Sequence, residues 1–230
     1  VVFICNELHL DDPRWDLEAL LLAKRPGARV VRCANNSKGP GWAVLEAREH
    51  IDPDRPVVVN YCDFACYWDA DAFAEHLASG EVEGSIPVYS GFHPHMAFST
   101  SYAYPRLEGA RAVDIQEKQP WTDDPATEFA SSGTYGFASG RILLDALDAQ
   151  VEQGLTLKDE YYLSLTYKPI MARGGEVSVF PLQHFMQWGT PGTGNSQFNT
   201  VHAIDIDRSR KLYVSDRGNG RIQIFDENGK

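Results

Sequence analysis

The chain has 230 residues with 21 Lys and Arg against 32 Asp and Glu, a formal net charge of −11, which argues against nonspecific nucleic-acid or anionic-membrane partners because either favours a basic face. No apolar run approaches the roughly 20 residues that cross a bilayer, and the opening VVFICNELHL has neither a basic flank nor a small-residue cleavage site. This length supplies ample material for one generous core, and the apolar settings of Cys5, Cys33, Cys62 and Cys66 predict buried free thiols and a reducing cytoplasm.

The chain starts without Met inside a strand-like run, so an earlier segment is expected. VVFIC reads as a strand, and Leu17, Leu20, Leu21 and Ala23 form a helical apolar stripe that stops before Pro26-Gly27. ARVVRCA is a second strand. NNSKGPGWAVLEAREHI is a loop of small residues opening into a helix through Ala43, Val44, Ala47 and Ile51. Such a loop lets a ligand approach the backbone and offers unpaired N–H groups to polar atoms, although an ordinary tight turn has the same glycines.

VVVNYCDFACYWD follows Pro56 and reads as a buried parallel strand ending at the mouth of an α/β sheet. Ligands sit beyond the carboxyl ends of such strands, which makes Asp63 a candidate functional acid. Its alternative role is the N-cap of the helix in WDADAFAEHL, expected from Asp71 to about Ser79. Cys62 and Cys66 lack a second Cys or His pair at finger spacing, which weighs against zinc.

SIPVYSGF is the next strand, and HPHMAFSTSYAYPRLEG is a strand pair or long aromatic-lined loop. Its His93 and His95 read as surface or substrate-contact residues rather than metal ligands. ARAVDIQEKQP is a strand whose exit carries Glu117 and Lys118 before Pro120. SSGTYGFAS is a Gly-punctuated strand, ILLDALDAQVEQG an amphipathic helix, YYLSLTYKPIMARGG helical or mixed, and EVSVFPL a strand. Strands alternating with helices predict a mainly parallel, Rossmann-like sheet with helices on both faces.

The pieces FICNELHL, SKGPGWAVLEA, VVVNYCDF, FHPHMAFSTSYAY, IQEKQP, SSGTYGF and HFMQWGTP occur in that order over residues 1–191. Together they resemble the sugar-phosphate nucleotidyltransferases of the GT-A-like α/β fold, especially those of capsular and surface polysaccharide biosynthesis. The resemblance implies that Gly39 and Gly41 lie against a nucleotide base and that Asp63 holds the magnesium bridging a triphosphate. It implies that Glu117 and Lys118 bind sugar hydroxyls and the sugar-linked phosphate, and that Gly133 gives the sugar room. Its partners would be a nucleoside triphosphate and a sugar phosphate. Two polyanions must meet, so a hard cation held by carboxylates and a lysine that offsets repulsion suit the chemistry, without a covalent nucleophile. The family's opening glycine-rich loop, with its Arg and Lys, has no counterpart here, and little or no turnover is expected of these 230 residues alone. The second carboxylate ligand is sought at Asp159 or the adjacent Glu160, whose other reading is as helix-start acids.

Residues 1–192 carry 15 basic against 27 acidic side chains, whereas 193–230 carry 6 against 5. That shift places a boundary near Gly192, between a unit at 1–191 and one at 192–230. HAIDID, KLYVSD and RIQIFD alternate apolar and polar residues and predict three antiparallel strands. The segment resembles one NHL-type β-propeller repeat and implies a possible protein partner. A lone blade cannot cover both faces, so a longer chain, a join of two unrelated pieces, or a packed-on blade is expected. The alternative to an enzyme is a noncatalytic scaffold built on such repeats.

Overall fold

The computed structural model describes every residue except 36, 63, 92–99, 187–189, 192, 196, 200, 208, 210 and 227–230. The first part runs β1 (Val2–Asn6), the short α1 (Glu7–Leu10), α2 (Leu17–Lys24), β2 (Arg29–Cys33), α3 (Pro40–Glu46), β3 (Val57–Asn60), β4 (Ala65–Tyr67), α4 (Ala70–Ala78) and β5 (Gly84–Tyr89). Next come β6 (Ala103–Glu108), β7 (Arg111–Glu117), β8 (Ala130–Ser131), β9 (Thr134–Phe137), α5 (Gly140–Glu152), a 3-10 turn at Leu163–Thr166, α6 (Tyr167–Ala172) and β10 (Val177–Pro181). The chain continues through β11 (His184–Met186), β12 (Thr190–Pro191), β13 (Gln197–Phe198), β14 (Val201–Ile206), β15 (Leu212–Asp216) and β16 (Arg221–Phe225). No helix among the described residues is long and apolar enough to cross a membrane.

The main sheet has the order β3-β9-β5-β10-β7-β6, with β8 beside β5. Its β5–β10 pair is parallel, while β3–β9, β9–β5, β5–β8, β10–β7 and β7–β6 are antiparallel. The predicted mainly parallel sheet is therefore corrected to a mixed, mostly antiparallel one. Connection length explains one of these pairs. Glu108 and Arg111 are paired across a two-residue turn, with Gly109 at φ +65, and so short a link can join only antiparallel strands. Strand and helix alternation does not by itself encode strand direction.

A second correction concerns the VVV run. β3 lies at one end of the sheet order and alternates in exposure, with Val57 and Val59 half-buried and Val58 47% exposed. Among the described residues the three β-branched side chains of β3 lie on a half-covered surface, which suits their strand propensity.

Helices cover both faces, and glycines show where they press. A Cβ at Gly136 would stand 2.6 Å from the Phe73 ring of α4, and one at Gly84 would stand 2.6 Å from the Tyr167 ring of α6. Gly84 pairs with Phe137, and Gly136 with Ser85, so the two glycines face opposite ways, as strand alternation requires. In α5, Ser139 caps the first turn through Ile142 N at 3.2 Å, and buried Leu143, Ala146, Leu147 and Gln150 follow the helical period. Leu143, Ala146 and Leu147 join Val44, Ile86, Val88, Ile115, Tyr135, Phe137, Leu163, Tyr167 and Ile170 in the main core. α2 forms as expected, yet none of its residues is buried.

The last three strands form as predicted, antiparallel in the order β14-β15-β16. Phe198, Leu212, Val214 and Phe225 make a small core beneath them. The buried Asp216 carboxylate accepts from Asn199 N (2.7 Å), Asn219 Nδ2 (2.8 Å) and Arg221 Nε (2.7 Å). Arg221 also donates to the carbonyl oxygens of Thr193, Gly194 and Gln197, which ties the entry segment to the sheet.

Candidate functional site

The ordered end of β7 brings two of the predicted residues together. Glu117 pairs with Ala103 at the last step of the β6–β7 ladder, and Lys118 turns out of the strand at φ +59. That left-handed backbone costs a non-glycine residue about 1–2 kcal/mol. Two hydrogen bonds hold it: Lys118 N–H donates to Tyr102 O at 2.9 Å, and Thr100 Oγ1 donates to Lys118 O at 2.7 Å.

Segment 160–164 faces this corner. Lys118 Nζ donates to Tyr162 Oη at 2.6 Å, and Tyr162 Oη donates to Glu160 Oε2 at 2.6 Å. Ser164 Oγ donates to Glu117 Oε2 at 2.6 Å. Gln150 of α5 fixes the segment from behind, its Nε2 donating to Tyr162 O and Leu155 O at 3.0 Å each. Burial pushes the Glu117 carboxyl above its ordinary range, although the Ser164 hydrogen bond and the Lys118 charge pull it down. The Tyr162 phenol is also pushed up, first by burial and then by its bond to Glu160. Tyr61 and Tyr135, edge to face at 5.7 Å, lie near Glu117 and are pushed up chiefly by burial.

The glycine loop meets the same segment from its other side. Tyr161 N–H donates to Lys38 O at 2.8 Å, and Gly41 N–H donates to Tyr161 O at 2.7 Å. Gly39, the residue before α3, has φ +89, and a Cβ there would stand 2.9 Å from the Tyr161 backbone. The close approach that Gly39 and Gly41 permit is thus made by the chain itself. Lys38 Nζ lies 3.7 Å from the Trp42 ring centroid, and Tyr161 packs on Trp42 at 5.8 Å.

Gly133, at φ +90, lies under aromatic rings. A Cβ there would stand 3.0 Å from Phe64 Cε1 and 3.3 Å from Tyr61 Cδ2. Asp159 is exposed in a two-residue turn with Lys158, both at positive φ, closed by reciprocal backbone bonds between Leu157 and Glu160. This tight turn replaces the helix-start reading of Asp159 and Glu160. Asp63, His93 and His95 lie outside the described residues, and the N-cap of α4 is Asp69, which accepts from Ala72 N at 2.9 Å. Among the described residues no three His, Cys, Asp or Glu side chains converge as a metal site. A magnesium that bridges phosphates needs only one or two protein carboxylates; of the two expected here, Asp63 lies outside the described residues and Asp159 stands exposed in its turn. Cys62 is exposed, against the burial expected of it, while Cys33 is buried.

Glu117, Lys118 and Glu160 stand out in the sequence, whereas Tyr162, Ser164 and Gln150 do not. A signal for Tyr162 was present: in an extended stretch every second side chain shares a side, so Tyr162 follows from Glu160 once that residue is placed, whereas Ser164 lies in the 3-10 turn Leu163–Thr166 and has no such signal.

No family model matches the chain. It is 46% identical over 39 residues to NHL repeat-containing protein 3 of Homo sapiens and 44% identical over 39 residues to the Mus musculus protein, spanning 17% of this chain and 11% of each relative. The fold is similar to a nucleoside-diphosphate-sugar pyrophosphorylase from Vibrio cholerae, with TM-score 0.57 and 14% identity over 78% of this chain and 71% of that one. A putative glucose-1-phosphate thymidylyltransferase from Bacillus anthracis gives TM-score 0.54 and 13% identity over 74% and 64%. HddC from Yersinia pseudotuberculosis, complexed with GMP-PN, gives 0.51 and 18% over 81% and 71%. At these identities the likeness is one of fold.

Proposed function

We propose that the α/β region is a nucleotidyltransferase-like domain whose Glu117–Lys118 corner receives a sugar phosphate. The observation that carries this reading is the pairing, at one strand end, of a half-buried carboxylate with a lysine held in a left-handed turn. Glu117 Oε2 accepts from Ser164, and its other oxygen suits a sugar hydroxyl. The Lys118 ammonium suits the phosphate on that sugar. In the reaction, an oxygen of the sugar phosphate bonds to the α-phosphorus of a nucleoside triphosphate as the α–β bridge breaks, and pyrophosphate leaves. Positioning and charge stabilisation carry most of such a step. Gly39 and Gly41 remain the proposed base side of the site, Gly133 the proposed sugar side, and Asp63 and Asp159 the proposed carboxylates for magnesium.

Calorimetry of the purified chain with a panel of sugar phosphates tests the binding half, and pyrophosphate release by the full-length gene product with nucleoside triphosphates, with and without magnesium, tests the transfer. Saturable sugar-phosphate binding that falls at least about tenfold in Lys118→Ala supports the reading. No binding of any sugar phosphate overturns it.

A second reading, a protein-binding role for 192–230, is favoured by one feature. Ile222 and Ile224 are 65% and 55% exposed on the face of β16 opposite Phe225. Concentration-dependent mass in sedimentation, lost in Ile222→Lys with Ile224→Lys, supports self-association through that face; a constant mass removes it.

A further inference from the structure

A lysine side chain is long and freely rotating, so fixing its ammonium for one ligand costs substantial rotamer entropy. Here much of that ordering is done before any ligand arrives. The Lys118 backbone is tied to Tyr102 and Thr100, and its ammonium is tied to Tyr162, standing 4.1 Å from that ring's centroid as well as 2.6 Å from its hydroxyl. Tyr162 spends its single hydroxyl proton on Glu160. It therefore presents only lone pairs to Lys118, and the direction of the chain is set: ammonium to phenol to carboxylate. An ammonium has three N–H donors, so one bond to Tyr162 leaves donors for a phosphate.

The local backbone supplies this arrangement. Tyr162 is extended at φ −88, ψ 140; its hydroxyl meets Lys118 just beyond β7 and the Ser164 hydroxyl meets Glu117 of β7, while Tyr161 packs on Trp42 of α3. Gln150 and the Lys38–Gly41 loop hold the segment from two sides.

We propose that Tyr162, anchored by Glu160, is the positioning residue that aims the Lys118 ammonium at the sugar-linked phosphate. This rests on the sugar-phosphate reading of the Glu117–Lys118 corner. Tyr162 acts through Lys118 rather than on the reacting atoms. Removing its hydroxyl leaves the charge in place and removes the aim.

The experiment combines nitrogen-15 spectra of the lysine ammonium groups with calorimetry, using glucose 1-phosphate and inorganic phosphate as probes. The wild type shows a Lys118 ammonium signal protected from solvent exchange. Tyr162→Phe abolishes that protection and weakens glucose 1-phosphate binding about tenfold. Glu160→Gln keeps an acceptor for Tyr162 and stays close to wild type, whereas Glu160→Ala follows Tyr162→Phe. If Tyr162→Phe does not fold, Glu160→Ala reads the same relation. Unchanged protection and affinity in the folded variant overturn the proposal. A Lys118 signal that depends on Tyr162 in a protein that binds neither probe upholds the positioning and overturns the sugar-phosphate reading instead.

Discussion

The Gly41 amide donates to the Tyr161 carbonyl at 2.7 Å, and a Cβ at Gly41 would stand 2.9 Å from that same oxygen. Side-chain-free backbone at this point is what lets the start of α3 lie against segment 160–164. Gly41→Ala must push two backbones apart. Gly39→Ala meets the same backbone and is further strained by its φ of +89. Each is expected to lower unfolding free energy by about 2 kcal/mol or more in urea titrations. A loss below about 0.5 kcal/mol in both would show that the loop yields easily.

Glu117 gives a pH-dependent prediction. Burial raises its carboxyl above the ordinary value of 4.5, so the folded state favours the protonated form. The associated stability is fully present below the unfolded-state value and is lost as pH rises through the folded-state value. Glu117→Gln keeps an acceptor for Ser164 and removes the titration. Denaturant titrations from about pH 4 to about pH 8 should show the variant gaining on the wild type as pH rises. A difference that stays flat across that range would contradict burial as the dominant influence.

Tyr167 is fully buried, stacks on Phe137 at 4.9 Å with ring planes 5° apart, and directs its hydroxyl to the Gly136 and Ser85 carbonyl oxygens at 3.0 and 3.2 Å. Tyr167→Phe should cost about 1 kcal/mol through the lost hydrogen bond, and Tyr167→Ala about 3–5 kcal/mol through the cavity. Thermal or urea unfolding checks both, and equal losses would mean that ring packing contributes nothing beyond the hydroxyl.

Asp216 predicts the opposite pH trend for the C-terminal strands. Burial alone would raise its carboxyl, but donation from the Asn199 backbone, Asn219 and Arg221 outweighs burial and lowers it below 3.8. A lowered acid stabilises the fold above its unfolded-state value, and the stability fades as pH falls through the folded-state value. Hydrogen exchange should show β15 and β16 amides losing protection on acidification below about pH 4, and also in Asp216→Ala at neutral pH. Protection that persists in Asp216→Ala would show that Phe198, Leu212, Val214 and Phe225 hold the sheet without it.

Most element positions were legible because they rest on local chemistry. The α5 stripe follows from spacing alone, and the three C-terminal strands from alternation and turn residues. Glu117 and Lys118 stood out as opposite charges beside Pro120 at a strand exit. The sheet's direction pattern was less legible, although the short Glu108–Arg111 link carried a usable signal for one hairpin.

By itself the sequence determined most of the stretches that become strands or helices, and that a carboxylate and a lysine sit together at the end of β7. Those properties depend on neighbours within a few residues. Only the tertiary structure decided that β3 ends the main sheet's order among the described residues, that Gly39 and Gly41 meet Tyr161, and that Lys118 is held by Tyr162, 44 residues away. Such relations depend on how distant segments pack, because a hydrogen bond across 44 residues leaves no periodic trace in either segment.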